Sequence, residues 1–370
     1  MADYKKYQSD GVSAEDKALD KFAELMIEKI ESLKNSDSWK QPWFTEGSLR
    51  WPRNLSGREY NGMNALLLMM LCEKQNYKLP VFCTFNRAVG LNYTTDKQGA
   101  KKPITDADGQ PLPRVGINKG EKSFPVMLTT FTVVDKDTKE KINYEDYKRL
   151  SNDEKAQYNV YPKLNVYQVF NVDQTNLKEA RPDLYAKLES ENKLQRPFSG
   201  EGESFKFPAM DAMIAENKWI CPINLVHQDN AYFSISKNQI TLPEKSQFKD
   251  GESFYGTAFH EMTHSTGTAE MFNRFNPESG FGSAEYAKEE LVAELGSALV
   301  ARRCGMSKSL KDDSAVYMMS WLDSLKESPS FIKTTFMDVK RATSVITQRI
   351  DEDALELEAK QRQTNDKSVS

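Results

Sequence analysis

The chain has 370 residues, a net charge of −4, 39% hydrophobic positions and 28% charged ones, enough for two ordinary domains with real cores. Its longest uninterrupted apolar run, residues 65–72, is far shorter than the ~18 residues a spanning helix needs, so a transmembrane helix is excluded. The opening MADYKKYQSDGVSAEDK holds no apolar segment. Cys72, Cys83, Cys221 and Cys304 lie far apart without CxxC spacing, so neither a secretory signal nor a disulfide framework is expected, and a reducing, cytoplasmic setting is.

In chain order, Ser13 and Asp16 form a capping signal. Phe22, Leu25, Met26, Ile30 and Leu33 then recur at helical spacing to about Lys34. An aromatic stretch broken by proline follows, with Trp39, Trp43 and Trp51. Residues 65–72 predict a buried helix. Residues 96–113, rich in Gly, Pro, Asp and Lys, predict an exposed loop. Residues 124–134 and 164–172 are β-rich runs without helical period, hence strands, separated by a charged insert. A polar stretch with Pro197, Gly200 and Gly202 reads as a linker. Residues 231–235 and 239–242 then read as a hairpin. Helices follow over about 253–265, 284–303, 313–326 and 329–358, and the polar end is expected to fray.

Charge divides unevenly along this order. Residues 38–130 hold 13 Lys/Arg against seven Asp/Glu, so the remainder carries a net −10. A basic front and an acidic back suggest two tasks on one chain.

Two of the three histidines lie in His260-Glu261-Met262-Thr263-His264. Spacing of i, i+4 puts both imidazoles on one helix face, where they can hold one metal ion. Glu261 then sits beside the open coordination position as a general base. A catalytic site of this kind wants a third protein ligand. The helix beginning near Ala284 offers Glu285, Glu289, Glu290 and Glu294. Glu290 is the expected ligand, with Glu289 the alternative, and Glu294 is expected to accept the ring N–H of His260. Zinc suits two imidazoles and a carboxylate, although manganese, iron and cobalt share these ligand types. The hairpin edge ahead of the helix can hold an extended peptide by strand addition. His227 has no partner in sequence and reads as an ordinary surface or core histidine.

The segment AYFSISKNQITLPEKSQFKDGESFYGTAFHEMTHSTG, with EELVAEL and AVYMMSWLDSL after it, resembles the metallopeptidase domain of the ArdC family of antirestriction proteins. Ser265 stands where that family more often has Trp. The front half resembles the family's single-stranded-DNA-binding domain, shared with some plasmid primases. The matching runs are PRN at 52–54, SGREYNGMN at 56–64, TFN at 84–86, KGEK at 119–122 and VFNVDQ at 169–174.

The resemblance implies an α+β protein. A DNA-binding domain would cover residues 13–180, a linker 181–204, a zincin-like domain 205–350 and a polar tail 351–370. It further implies a protein of a bacterial mobile element, acting on single-stranded DNA and on a host protein. The alternative is a DNA-coating protein whose metal site is structural. Single-strand binding needs cations for phosphates and aromatic faces for bases. Trp51, Arg53, Arg58, Tyr60, Lys119 and Lys122 are the candidates for those roles.

Overall fold

The computed structural model describes residues 13–35, 51–96, 98–192, 205–275, 283–306, 317–328 and 330–369. Trp39, Trp43 and the second half of the expected linker, residues 193–204, lie outside them. The Ser13 hydroxyl accepts from the Asp16 N–H at 3.0 Å, and the Ser13 N–H donates back to Asp16 Oδ2 at 3.3 Å. This reciprocal cap satisfies two donors that a helix start leaves open. Helix α1 (Ala14–Asn35) grows from it.

Strand β1 (Arg53–Asn54), helix α2 (Met63–Gln75), β2 (Val81–Cys83), α3 (Phe85–Gly90) and a small hairpin, β3 (Tyr93–Thr95) with β4 (Lys101–Pro103), come next. The hairpin falls partly inside the expected loop, because the Asp96 carboxylate accepts from the Gln98 and Ala100 N–H groups and organises its turn. A long antiparallel pair follows, β5 (Phe124–Asp135) and β7 (Tyr158–Asn171), carrying β6 (Lys141–Ile142), α4 (Tyr144–Arg149) and α5 (Asn152–Lys155) at its far end. The sheet order is β1-β2-β7-β5-β6. Helices α6 (Leu177–Ala180) and α7 (Pro182–Glu191) close this half, Pro182 starting α7 where a missing N–H costs nothing.

The second half contains α8 (Pro208–Ala215) and a three-stranded sheet in the order β8-β10-β9. Its strands are β8 (Ile223–Val226), β9 (Tyr232–Ser234) and β10 (Gln239–Pro243). The expected hairpin is β9 with β10. Strand β8 adds parallel to β10. Helices α9 (Gly251–Ser265), α10 (Ala284–Arg303), α11 (Met318–Glu327) and α12 (Ser330–Val369) complete it, α12 running well beyond Glu358.

One apolar cluster crosses between the halves. Phe22 and Met26 of α1, Leu66 of α2, Met127 of β5, Leu295 of α10, Trp321 of α11 and Phe336 of α12 are buried together. A separate cluster under the small sheet joins Phe254, Phe259 and Met262 of α9 to Met210, Ile240 and Leu242. Helix α10 therefore has one face in the shared core and another against α9. The approach is close because Gly296 has no side chain: a Cβ there would lie 2.8 Å from Thr263 Cγ2.

Candidate metal centre

Helix α9 starts at Asp250, whose carboxylate accepts from the Ser253 N–H at 2.7 Å, and its buried face includes Phe254, Ala258, Phe259 and Met262. This packing turns His260 and His264 toward α10. His260 Nε2 lies 3.1 Å from His264 Nε2. Glu290 of α10 presents Oε2 3.6 Å from His260 Nε2 and Oε1 3.6 Å from His264 Nε2. One ligand atom from each of the three residues lies within 4.8 Å of the others.

The far side of each ring meets a different glutamate. His260 Nδ1 faces Glu294 Oε1 at 3.5 Å, and His264 Nδ1 faces Glu289 Oε1 at 3.2 Å. A carboxylate at Nδ1 holds the proton there and leaves the Nε2 lone pair free. With each Nδ1 protonated, the two Nε2 lone pairs and the Glu290 carboxylate can turn toward one cation. Glu261 is 1% exposed, so among the described residues the carboxylates of Glu261, Glu289, Glu290 and Glu294 share this interior with the Arg274 guanidinium. That donor set calls for a cation, and the residues form a candidate site for one divalent metal ion.

Charge around His264 follows the same logic. Burial opposes its protonated form, but the Glu289 hydrogen bond and the charges of Glu290, Glu289 and Glu261 outweigh burial and raise its pKa. Glu289 is opposed by burial as well. Its pKa is nevertheless lowered by the hydrogen bonds and charges of Arg274 and His264.

Sequence reasoning did not single out Arg274. Its Nε and Nη2 donate to Glu289 at 2.9 and 2.8 Å, its Nη1 to Thr266 Oγ1 at 2.9 Å, and its Nη2 also to the Thr263 carbonyl at 2.8 Å. One side chain thus closes the C-terminus of α9 and fixes the glutamate behind His264. The loop can return this tightly because Gly267 leaves room: a Cβ there would stand 2.9 Å from the Phe275 ring. No spacing rule marks an arginine ten residues beyond a helix motif.

Tyr286, one turn before Glu290, hydrogen-bonds to it, and burial followed by the Glu290 charge pushes its hydroxyl pKa up. Edge strand β9 is tied to the loop after His264, with Phe233 stacked on Phe275 at 6.0 Å. His227 is exposed, 3.4 Å from Glu244, and is not part of the group that could hold a metal.

The front-half candidates form two groups. Trp51 donates its indole N–H to the Tyr60 carbonyl and lies under the Arg303 guanidinium at 5.9 Å. Tyr60 packs edge-on against Phe82, and burial pushes its hydroxyl up to about 12. Arg53 pairs with Glu191 at 3.0 Å, while Arg58 is exposed in the same turn. Lys119 and Lys122 are exposed in a separate loop before β5. Gly120 adopts φ +91° there, a backbone favoured by glycine.

The family model for the N-terminal domain of anti-restriction factor ArdC matches residues 16–170, and that for a zincin-like metallopeptidase matches residues 208–336. The chain belongs to the ArdC family. The ArdC protein of plasmid R388, solved metal-free and with Mn(II) bound, is similar in fold. Both structures have a TM-score of 0.60 and 22% identity, and the match covers 90% of this chain and 98% and 97% of theirs. Two Escherichia coli proteins named DNA primase TraC are 29% and 25% identical over 83% and 87% of this ArdC-family chain. The chain spans 18% and 26% of the length of those relatives. An uncharacterized Sinorhizobium fredii protein, y4eC, is 34% identical over 28% of the chain and 34% of its own length. Among the described residues no helix is long and apolar enough to cross a membrane.

Proposed function

We propose that this ArdC-family chain is a zinc-dependent metallopeptidase that also binds single-stranded DNA and protects incoming DNA from restriction in a bacterial cytoplasm. The observation that carries the peptidase reading is the buried Glu261 carboxylate, next to two histidines whose Nε2 atoms converge on Glu290. A purely structural site has no use for a general base in that position.

His260, His264 and Glu290 would hold the metal, which when bound supplies Lewis-acid polarisation and makes a water more acidic. Zinc fits two imidazoles and one carboxylate best. Glu261 takes a proton at its carboxylate and returns it to the leaving amine. Glu294 and Glu289 hold the two imidazoles in register, and Arg274 holds Glu289. The outer edge of β9 offers backbone groups to an extended peptide of a host protein.

The ArdC N-terminal domain supports the DNA half of the proposal. Arg58, Lys119 and Lys122 are exposed cations suited to phosphates. Arg53 would have to leave Glu191 to join them, while Trp51 and Tyr60 support the turn that carries Arg58.

The test is Glu261→Gln in the full chain. The peptidase reading expects metal and single-stranded-DNA binding to persist, and both hydrolysis and protection from restriction to vanish. Full protection by this variant would instead favour a protein that shields DNA by coating it, with the metal as a structural element.

A further inference from the structure

The β5–β7 pair is covered unequally on its two faces. On one face Met127 and Val166 join the core that contains α1. Further out on that face, Phe131 stacks on Tyr144 of α4 at 4.2 Å, and Tyr147 meets Tyr158 edge-on. On the other face Val126 and Val169 pack with Leu68 and Cys72 of α2 at the base. Beyond that base no described element covers the second face.

The register fixes what this open face displays. Directly opposed residues share a face, and the pairs here are Val126 with Tyr167, Leu128 with Asn165, Thr130 with Lys163 and Thr132 with Tyr161. Tyr161 is 55% exposed, Tyr167 42% and Leu128 39%. Lys141 of β6, opposite Val134, extends the same face. The strand residues of this face include no carboxylate, and neither Lys163 nor Lys141 makes an ion pair among the described residues. Asn165 donates to Thr130 Oγ1 at 2.9 Å, and Thr130 donates to the Lys163 carbonyl at 3.3 Å, so the centre of the platform is held across the two strands.

We infer that this open β5–β7 face is a stacking platform for single-stranded DNA, with Tyr161 and Tyr167 under bases and Lys163 on the phosphates between them. Six residue steps along β7 separate the tyrosines, about 20 Å, a span that several nucleotides cross. Aromatic faces separated by an unpaired cation on a surface free of carboxylates match an unstacked polyanion. A protein partner would have no comparable need for an acid-free surface. The inference rests on the DNA-binding half of the proposed function and gives it a location different from the loops chosen by sequence.

The experiment uses the full chain and a fluorescent single-stranded oligonucleotide. Tyr161→Ala and Tyr167→Ala should each weaken binding roughly 5- to 100-fold, while Tyr161→Phe and Tyr167→Phe keep it near the parent value. Lys163→Ala should reduce the slope of log affinity against log salt by about 0.7. Metal content should be unchanged in all of them, since none of these residues belongs to the candidate metal centre. If the parent binds and the alanine variants bind equally well, the platform is refuted while DNA binding stands. If the parent does not bind at all, the DNA-binding reading itself fails and the platform with it. Equal affinity for duplex, or a parent dimer that the tyrosine substitutions dissociate in sedimentation, would likewise overturn the assignment.

Discussion

Arg274→Ala probes the support of the metal centre without touching a proposed ligand. Both partners of the Arg274–Glu289 pair are nearly enclosed, with side-chain exposures of 5% and 12%. Removing one partner of a buried ion pair leaves an uncompensated charge and typically costs about 3–5 kcal/mol. The same substitution deletes the bonds to Thr266 Oγ1 and the Thr263 carbonyl, of order 1 kcal/mol each. Glu289 can limit the damage by taking up a proton, so a net loss of about 3–5 kcal/mol at pH 7 is the expectation. Urea unfolding of the metal-free chain measures it.

The pH dependence has a definite sign. The folded pKa of Glu289 is lowered from its ordinary 4.5, so its contribution is present above that value and lost as pH falls through the folded pKa. The gap between parent and variant should therefore narrow below pH 4.5. A loss under about 1 kcal/mol at pH 7, with unchanged metal affinity, would refute the clamp as a buried, coupled pair.

Four further outcomes follow from the same geometry. His260→Ala should abolish stoichiometric metal binding, and Glu289→Gln should weaken it about 10- to 100-fold, both read by chelator competition. Gly296→Ala should destabilise the chain by about 1–3 kcal/mol and lower metal affinity, because Thr263 is fully buried and bonded to the Phe259 carbonyl and cannot retreat. A fragment ending at residue 192 should bind the apolar dye ANS and lack a cooperative thermal transition. It would expose Phe22, Met26 and Leu66, which the whole chain covers with α10–α12; a cooperatively folded fragment would contradict the shared core.

The grouping of the candidate metal ligands was legible because helical spacing fixes geometry locally. His260 and His264 at i, i+4 must share a face, and Glu290 and Glu294 repeat that relation on α10. The Ser13 cap and the β9–β10 hairpin are equally local. What escaped depends on contacts between distant segments. Arg274 acquires its role only when its loop folds back on α9. The junction of α1 with α11 and α12 cannot be read from any one of these helices, since any apolar stripe predicts burial without naming its partner. Strand β7 was expected from residue 164 because Asn159, Tyr161 and Lys163 break the apolar run. They do so because they line the open face, where the strand has no core to meet.

The most direct test of the metal centre is a crystal of the zinc-loaded chain examined by anomalous diffraction at the zinc edge. One peak is expected between α9 and α10, about 2.0–2.1 Å from His260 Nε2 and His264 Nε2 and about 2.0–2.2 Å from a Glu290 oxygen. A fully loaded chain whose peak lay elsewhere, or on Glu289 in place of Glu290, would contradict the assignment.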